Sequence, residues 1–138
     1  MNNLSERPHF DVTAGLIFRS GKVLISRRQK GSHLAGLWEF PGGKREAEES
    51  LEECLQRELA EELGIKIRVE NHCFTVDHSY GDRSISLHVF HCTLLEGEPK
   101  PLQSDGIKWV SPKALGSHEF PPPDSKVIDY LRRSNARS

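Results

Sequence analysis

Three carboxylates in one short stretch, Glu58, Glu61 and Glu62 of LQRELAEELGI, stand at spacings that a helix turns into neighbours. At about 100° per residue, Glu58 and Glu62 fall in the arc that also holds Leu51 and Leu55. Two carboxylates about 4 Å apart repel by roughly 4 kcal/mol at an effective dielectric of 20, so such a cluster raises its own pKa values or splays. A hard divalent cation removes the conflict, because Mg²⁺ takes oxygen ligands from one or two carboxylates, waters and substrate phosphates. An acidic stripe is more often only a solvated helix face. Two features argue otherwise here: the shared arc with the leucines, and the Gly42-Gly43 pair just upstream, since glycines let backbone approach a ligand closely.

The elements that must hold these residues are legible in outline. Ser50 with Glu53 makes a capping box and Gly64 suits a left-handed C-terminal cap, which predicts a helix from Leu51 to Leu63. Before it, DVTAGLIFRSGKVLISRR reads as two strands joined at Ser20-Gly21, followed by a long loop through Pro41 whose length suggests function. After it, IKIRVENHCFTVDHSY and SISLHVFHCTLLEG read as long strands about a turn at Gly81 to Arg83, and GIKWVSP as a short one. SKVIDYLRR reads as a last helix behind the rigid bend at Pro121 to Pro123.

Composition narrows the function classes. The chain has 138 residues, which fits one domain over 1–138. Its 19 basic and 20 acidic side chains nearly cancel, so no net field points to bulk nucleic acid or a membrane surface. Three widely spaced cysteines, the polar start MNNLSERPHF and the lack of a long apolar run lead us to expect a soluble cytoplasmic protein. The seven histidines have neither HExxH nor paired Cys/His spacing, and no Gly-x-Ser-x-Gly elbow occurs.

From Gly43 to Ile65 the residues fill the pattern G-x5-E-x7-R-E-U-x-E-E-x-G-U, with U a bulky aliphatic, at Gly43, Glu49, Arg57, Glu58, Leu59, Glu61, Glu62, Gly64 and Ile65. This resembles the signature of the Nudix hydrolases. GLWEFPGGK, VLISRR and EFPPPDSKVIDYLRR extend the likeness to the MutT branch, which hydrolyses nucleoside triphosphates. The resemblance implies an α/β fold, an α/β/α sandwich with a central mixed sheet flanked by helices. It implies a Mg²⁺-dependent pyrophosphohydrolase, with Mn²⁺ a possible substitute, in which water attacks the β-phosphorus and releases a nucleoside monophosphate and pyrophosphate.

Carried over residue by residue, Glu58, Glu61 and Glu62 are the catalytic and metal-holding acids, with the Gly42 carbonyl as a further ligand and Glu58 the candidate general base. Gly43, Glu49, Arg57 and Gly64 are structural, Glu49 and Arg57 as an ion pair bracing loop against helix. Arg28, Phe40, Asp82, Arg83 and Asp124 match substrate-pocket positions. Asp124 also reads locally as the N-cap of the last helix. The likeness departs at one point: a further acid lies six residues before a Trp in MutT-like relatives, and here that residue is Gln103, with Asp105 two positions on. An aspartate at 124 only accepts hydrogen bonds while ionised, where the 8-oxoguanine-preferring relative has an asparagine. The leading expected substrate is 8-oxo-dGTP, in nucleotide-pool cleaning, with CTP or 5-methyl-dCTP second. A Nudix module that binds a nucleotide or a DNA lesion without cutting is the alternative of another class, and a complete acidic box argues against it. The expected partners are the nucleotide itself, no stable nucleic acid and no membrane, with the chain a monomer or weak dimer.

Overall fold

The structure, a computed structural model, describes residues 8–135; most of the polar N-terminal arm lies outside them. Six strands and two helices follow in order: β1 (His9–Arg19), β2 (Lys22–Arg27), β3 (Trp38–Glu39), α1 (Leu51–Leu63), β4 (Lys66–Tyr80), β5 (Arg83–Glu96), β6 (Ile107–Val110) and α2 (Ser125–Asn135). The strands form one mixed sheet in the order β3-β2-β1-β5-β4, with β6 on β2. Strands β1 and β5 are parallel and the other pairs antiparallel. Ser20 and Gly21 turn the first hairpin with both φ positive, at 53° and 76°, the geometry that matches strand twist.

Alternation along the strands sends side chains to two cores. Ala14, Leu16, Val23, Ile25, Leu87 and Val89 pack with Val127 and Leu131 of α2. Ile17, Leu24, Ile67, Phe90 and Cys92 pack on the opposite face with Leu55, Leu59 and Leu63 of α1. A half-buried sheet face needs cover on each side, and one helix on each supplies it: this is the α/β/α sandwich. Cys54, Cys73 and Cys92 are free thiols, the first and last of them buried. No helix among the described residues is long and apolar enough to cross a membrane.

One departure from regular pairing creates the site. Strands β1 and β2 pair only at the hairpin end, Phe18 with Val23 and Arg19 with Lys22, and then part. The segment from Trp38 to Arg45 fills the wedge, pairing first with β2 at Ser26 and Arg27. It then crosses to β1: the N–H groups of Gly15 and Thr13 donate to the carbonyls of Pro41 and Gly43 at 2.7 and 2.8 Å, and that of Arg45 donates to Asp11 at 2.8 Å. Thus the stretch that reads as loop in the sequence is stitched on both sides into the sheet. The two residues of β3 are too few to show a period, and the short 3-10 turns at Pro112–Ser117 and Pro122–Asp124 were likewise not legible.

Candidate active site

Helix α1 begins where the wedge loop ends. Ser50 accepts from the Glu53 N–H at 3.0 Å and Glu53 accepts from the Ser50 N–H at 2.8 Å, which closes the capping box. Gly64 ends the helix at φ 68°, where its N–H donates to the Ala60 carbonyl. Arg57 then ties helix to loop. Its Nε and Nη2 donate to the two oxygens of Glu49 at 3.0 and 2.8 Å, and Nη2 also reaches the Lys44 carbonyl at 3.3 Å. This bidentate bond holds the Glu49 carboxyl down at a pKa of about 2 and the Arg57 guanidinium above its usual range.

The two glycines allow contact that no other residue would. A Cβ on Gly42 would stand 2.0 Å from the Thr13 carbonyl oxygen, and one on Gly43 would stand 2.3 Å from Cδ of Glu58. Glu58 therefore lies directly on the loop backbone. Glu62 lies beside it, accepting from the Gly42 N–H and sharing a hydrogen bond with Glu58. Burial, then that bond, then the nearby charges of Glu39 and Glu58 raise the Glu62 pKa far above the carboxylate range.

Two adjoining carboxylates at the end of an apolar face, with Glu62 buried, are a donor set suited to a hard divalent ion, whose charge would relieve their repulsion. The set is open rather than a cage: among the described residues no three acidic, His or Cys side chains converge. An open set suits an ion that keeps waters or takes phosphate oxygens. Glu61 does not join this edge. It is exposed and bonded to Arg57 Nη1 at 3.2 Å, a helix-surface pair four residues apart.

A cavity of about 330 Å³ opens from Gly42 and Gly43. Phe40 and Asp124 line it with Arg28 and Arg83, so four of the five expected pocket residues meet there. Asp82 does not: it sits on the turn between β4 and β5 with 84% of its side chain exposed, and it pairs with Arg83 at 3.8 Å. A two-residue turn at a sheet corner projects its side chains into solvent, which the sequence pattern could not show. Phe40 stacks on Phe120 at 5.3 Å. Asp124 is 7% exposed and faces the cavity from the 3-10 turn before α2, so its neighbours there are Glu39 and Arg28. Burial, with Glu39 adding to it and Arg28 opposing it, pushes the Asp124 pKa up to about 8.

Glu39, Tyr80, Phe10 and Lys44 also line the cavity and went unread in the sequence. Glu39 accepts from Arg28 Nη1 at 2.9 Å, and burial raises its pKa. A carboxylate between Trp38 and Phe40 in an apolar run is the signal that could have marked it. Of the two residues at the departure from the MutT pattern, Gln103 reaches a smaller neighbouring cavity that Glu62 also lines. Asp105 instead accepts from the Lys30 N–H at 3.0 Å and ties two loops together.

Comparison with known proteins agrees with this geometry. A family model described as NUDIX domain matches residues 13–130. The CTP pyrophosphohydrolase of Escherichia coli (strain K12) is 35% identical over 119 residues, covering 86% of this chain and 88% of that one. The 8-oxo-dGTP diphosphatase of the same organism is 34% identical over 114 residues, covering 83% and 88%. The crystal structure of a MutT protein from Methanosarcina mazei Go1 superposes with a TM-score of 0.83 at 29% identity, over 94% of this chain and 97% of that one. Members of this family generally use divalent metal ions. The chain belongs to the NUDIX family and is a hydrolase of its MutT-like branch, acting on nucleotide phosphoanhydride bonds.

Proposed function

We propose that the chain is a Mg²⁺-dependent nucleoside triphosphate pyrophosphohydrolase that cleans the nucleotide pool, with 8-oxo-dGTP its leading substrate. The observation that carries the reading is the continuity of the site. One cavity runs from the Gly42-Gly43 backbone, against which Glu58 packs, to the buried Asp124, so phosphate chemistry and base recognition share one chamber. Mg²⁺ held by Glu58 and Glu62, with Glu61 and the Gly42 carbonyl as the further candidates, would supply charge neutralisation on the phosphates and a more acidic water.

The chain's own residues do the rest. Water adds its oxygen to the β-phosphorus, and the bond from that phosphorus to the oxygen bridging to the α-phosphate breaks. The nucleoside monophosphate leaves with the bridging oxygen, and Glu58 takes the water's proton. Gly43 holds Glu58 in place by contact, and Arg57 with Glu49 keeps the loop seated on the helix. Phe40 offers an aromatic wall for a base.

Asp124 keeps a second substrate class in play. With its pKa near 8 the carboxyl is mostly protonated at neutral pH, so it donates through O–H and accepts through C=O, as an amide does. That pair matches the O6 and N1–H edge of a guanine, and equally N3 and the amino group of a cytosine. Support for CTP or 5-methyl-dCTP comes from this match and from the likeness to the E. coli CTP pyrophosphohydrolase. The test is kcat/KM over 8-oxo-dGTP, dGTP, CTP, dCTP and 5-methyl-dCTP with Mg²⁺. A preference for 8-oxo-dGTP is expected, a preference for a cytidine nucleotide selects the second reading, and no turnover of any triphosphate overturns both.

A further inference from the structure

The loop from Gly43 to Ser50 does not hold itself in shape. Glu48 sits at φ 67°, a left-handed conformation disfavoured for a residue with a Cβ, and the turn bond from the Glu49 N–H to the Glu46 carbonyl is long at 3.5 Å. Arg57 grips the Glu49 carboxylate from the helix, but one point of attachment does not fix an orientation. A second grip comes from the opposite side. Lys44 pairs with Val12 of β1 and lines the cavity, so alternation turns the Arg45 side chain to the other face of the sheet. There Arg45 Nη1 donates to the Glu49 carbonyl at 3.1 Å, and Nη2 pairs with Asp11 Oδ2 at 3.5 Å. One guanidinium thus spans from the main chain of the loop to β1.

Asp11 is itself fixed by a chain of side chains across three strands. Its Oδ1 bonds to His88 Nε2 at 2.9 Å, His88 Nδ1 to Thr75 Oγ1 at 2.9 Å, and Thr75 Oγ1 to His72 Nε2 at 2.8 Å. The register makes this possible, because Thr75 of β4 lies opposite His88 of β5, and Asp11 of β1 lies opposite Ser86, one same-face step away. The His88 bond, opposed by burial and aided by the charges of Arg45 and His9, holds the Asp11 carboxyl below its usual range. An ionised carboxylate only accepts, so His88 Nε2 carries the proton. With His88 neutral, Nδ1 accepts from Thr75 and Thr75 from His72, and the bonds run one way to Asp11. Neither Asp11 nor Arg45 lines the cavity, so neither touches a nucleotide held there.

We propose that Arg45, anchored by Asp11, is a positioning residue for hydrolysis: it fixes the loop from its outer side and, through the loop, the contact of Gly43 with Glu58. The role rests on the hydrolytic reading of the site. It adds a grip that stands outside the cavity and outside the nine fixed positions of the Gly43 to Ile65 pattern.

The experiment compares the full chain with Arg45→Met, Arg45→Lys, Asp11→Asn and the double variant of Arg45→Met with Asp11→Asn. Two quantities are measured: steady-state kinetics on 8-oxo-dGTP and CTP with Mg²⁺, and amide hydrogen exchange of the metal-free chain by NMR. A hydrogen bond from a charged donor is worth a factor of about ten or more, so Arg45→Met should lower kcat about tenfold for both nucleotides, with KM within about twofold. Arg45→Lys should recover part of the loss, since one ammonium can hold Glu49 or Asp11 but lacks the fork that spans both. Asp11→Asn, which removes the charge anchoring Arg45, should cost about threefold. Because Asp11 acts only through Arg45, the double variant should be no slower than Arg45→Met alone. The amides of Glu46 and Glu49, which close the turn, should exchange faster in Arg45→Met while that of Leu59 in α1 does not, which separates a loosened loop from a destabilised fold. A raised KM at unchanged kcat overturns the proposal by placing Arg45 on the substrate, and losses that multiply in the double variant overturn the anchoring by Asp11. Wild-type kcat with wild-type exchange at Glu46 and Glu49 in folded Arg45→Met overturns the grip itself. Faster exchange there in a chain that hydrolyses no triphosphate supports the grip and removes the hydrolytic reading it serves.

Discussion

The phosphate end and the base end of the cavity are made by different means. At the phosphate end the acids and the backbone they pack on lie between Gly42 and Glu62, in a loop and the helix it feeds, joined by a capping box and one bidentate ion pair. At the base end Arg28, Glu39, Phe40, Tyr80, Arg83 and Asp124 come from separate parts of the chain and meet only because β1 and β2 part and α2 folds back over the sheet. The first is a local construction whose geometry follows from helix spacing, while the second depends on tertiary packing. A change at the first end should alter the rate for every substrate, and a change at the second should alter which substrate is chosen.

The strongest test of that division is Glu58→Gln. The carboxylate that packs on Gly43 and faces Glu62 is lost, and kcat should fall about 10³-fold for all nucleotides alike. Folding should not suffer, because an amide at this position can hydrogen bond to Glu62 without the repulsion. A melting temperature at or above the wild-type value, measured without metal, is the expected companion result. Wild-type turnover in the folded variant would remove Glu58 from the chemistry.

Gly43→Ala comes next in size. Its methyl group would overlap the Glu58 carboxyl at 2.3 Å, so either the side chain or the loop moves. A displacement of that order at a reacting group costs about 10²-fold in kcat. KM should change much less, since Phe40, Arg83 and Asp124 at the base end of the cavity are unaltered. If KM rises and kcat holds, the two ends are not separable.

The same contrast explains what the sequence made legible. Leu51 to Leu63 could be read to the residue because Ser50, Glu53 and Gly64 terminate the helix by local hydrogen bonds. The facing of Glu58 and Glu62 toward the leucine arc needs only helix periodicity, and both are less exposed than Glu61. What spacing could not show is which partner captures a side chain. Glu61 is drawn to Arg57 and Asp105 to the Lys30 N–H, interactions set by the loop path. Nor could it show burial at a distance: Glu39 and Asp124 are far apart in sequence, and Glu39 raises the Asp124 pKa only because the wedge segment and the turn before α2 share one cavity wall.

A smaller and more specific effect is expected at Asp124, the base end's counterpart of Glu58. Its folded-state pKa of about 8 lies above the ordinary 3.8, so the folded chain holds a proton that the unfolded chain releases between those values. Stability then falls as pH rises from about 4 to about 8, and is flat above. Asp124→Asn should therefore melt a few °C higher than wild type at pH 8 and at the same temperature at pH 4. If the neutral carboxyl reads the base, wild-type kcat/KM declines as pH passes about 8, and the asparagine variant lacks that limb. Relative substrate preferences should change by a few fold, with kcat for the best substrate little affected.

Asp82 supplies the smallest expected effect and the cleanest control on what counts as part of the base end. It can act on a bound nucleotide only through Arg83, whose Nε is 3.8 Å away and whose guanidinium lies 5.8 Å over the Tyr80 ring in the cavity. Such an exposed pair is worth about 0–1 kcal/mol and is weakened further by salt. Asp82→Ala should thus leave kcat/KM within about twofold of wild type at physiological ionic strength. Raising the salt should reproduce whatever small change is seen. Arg83→Ala removes a cation from the cavity wall itself and should cost about fivefold or more, because a hydrogen bond from a charged donor exceeds a screened surface pair. Equal losses in the two variants would place Asp82 in contact with the substrate and extend the base end to the β4–β5 turn.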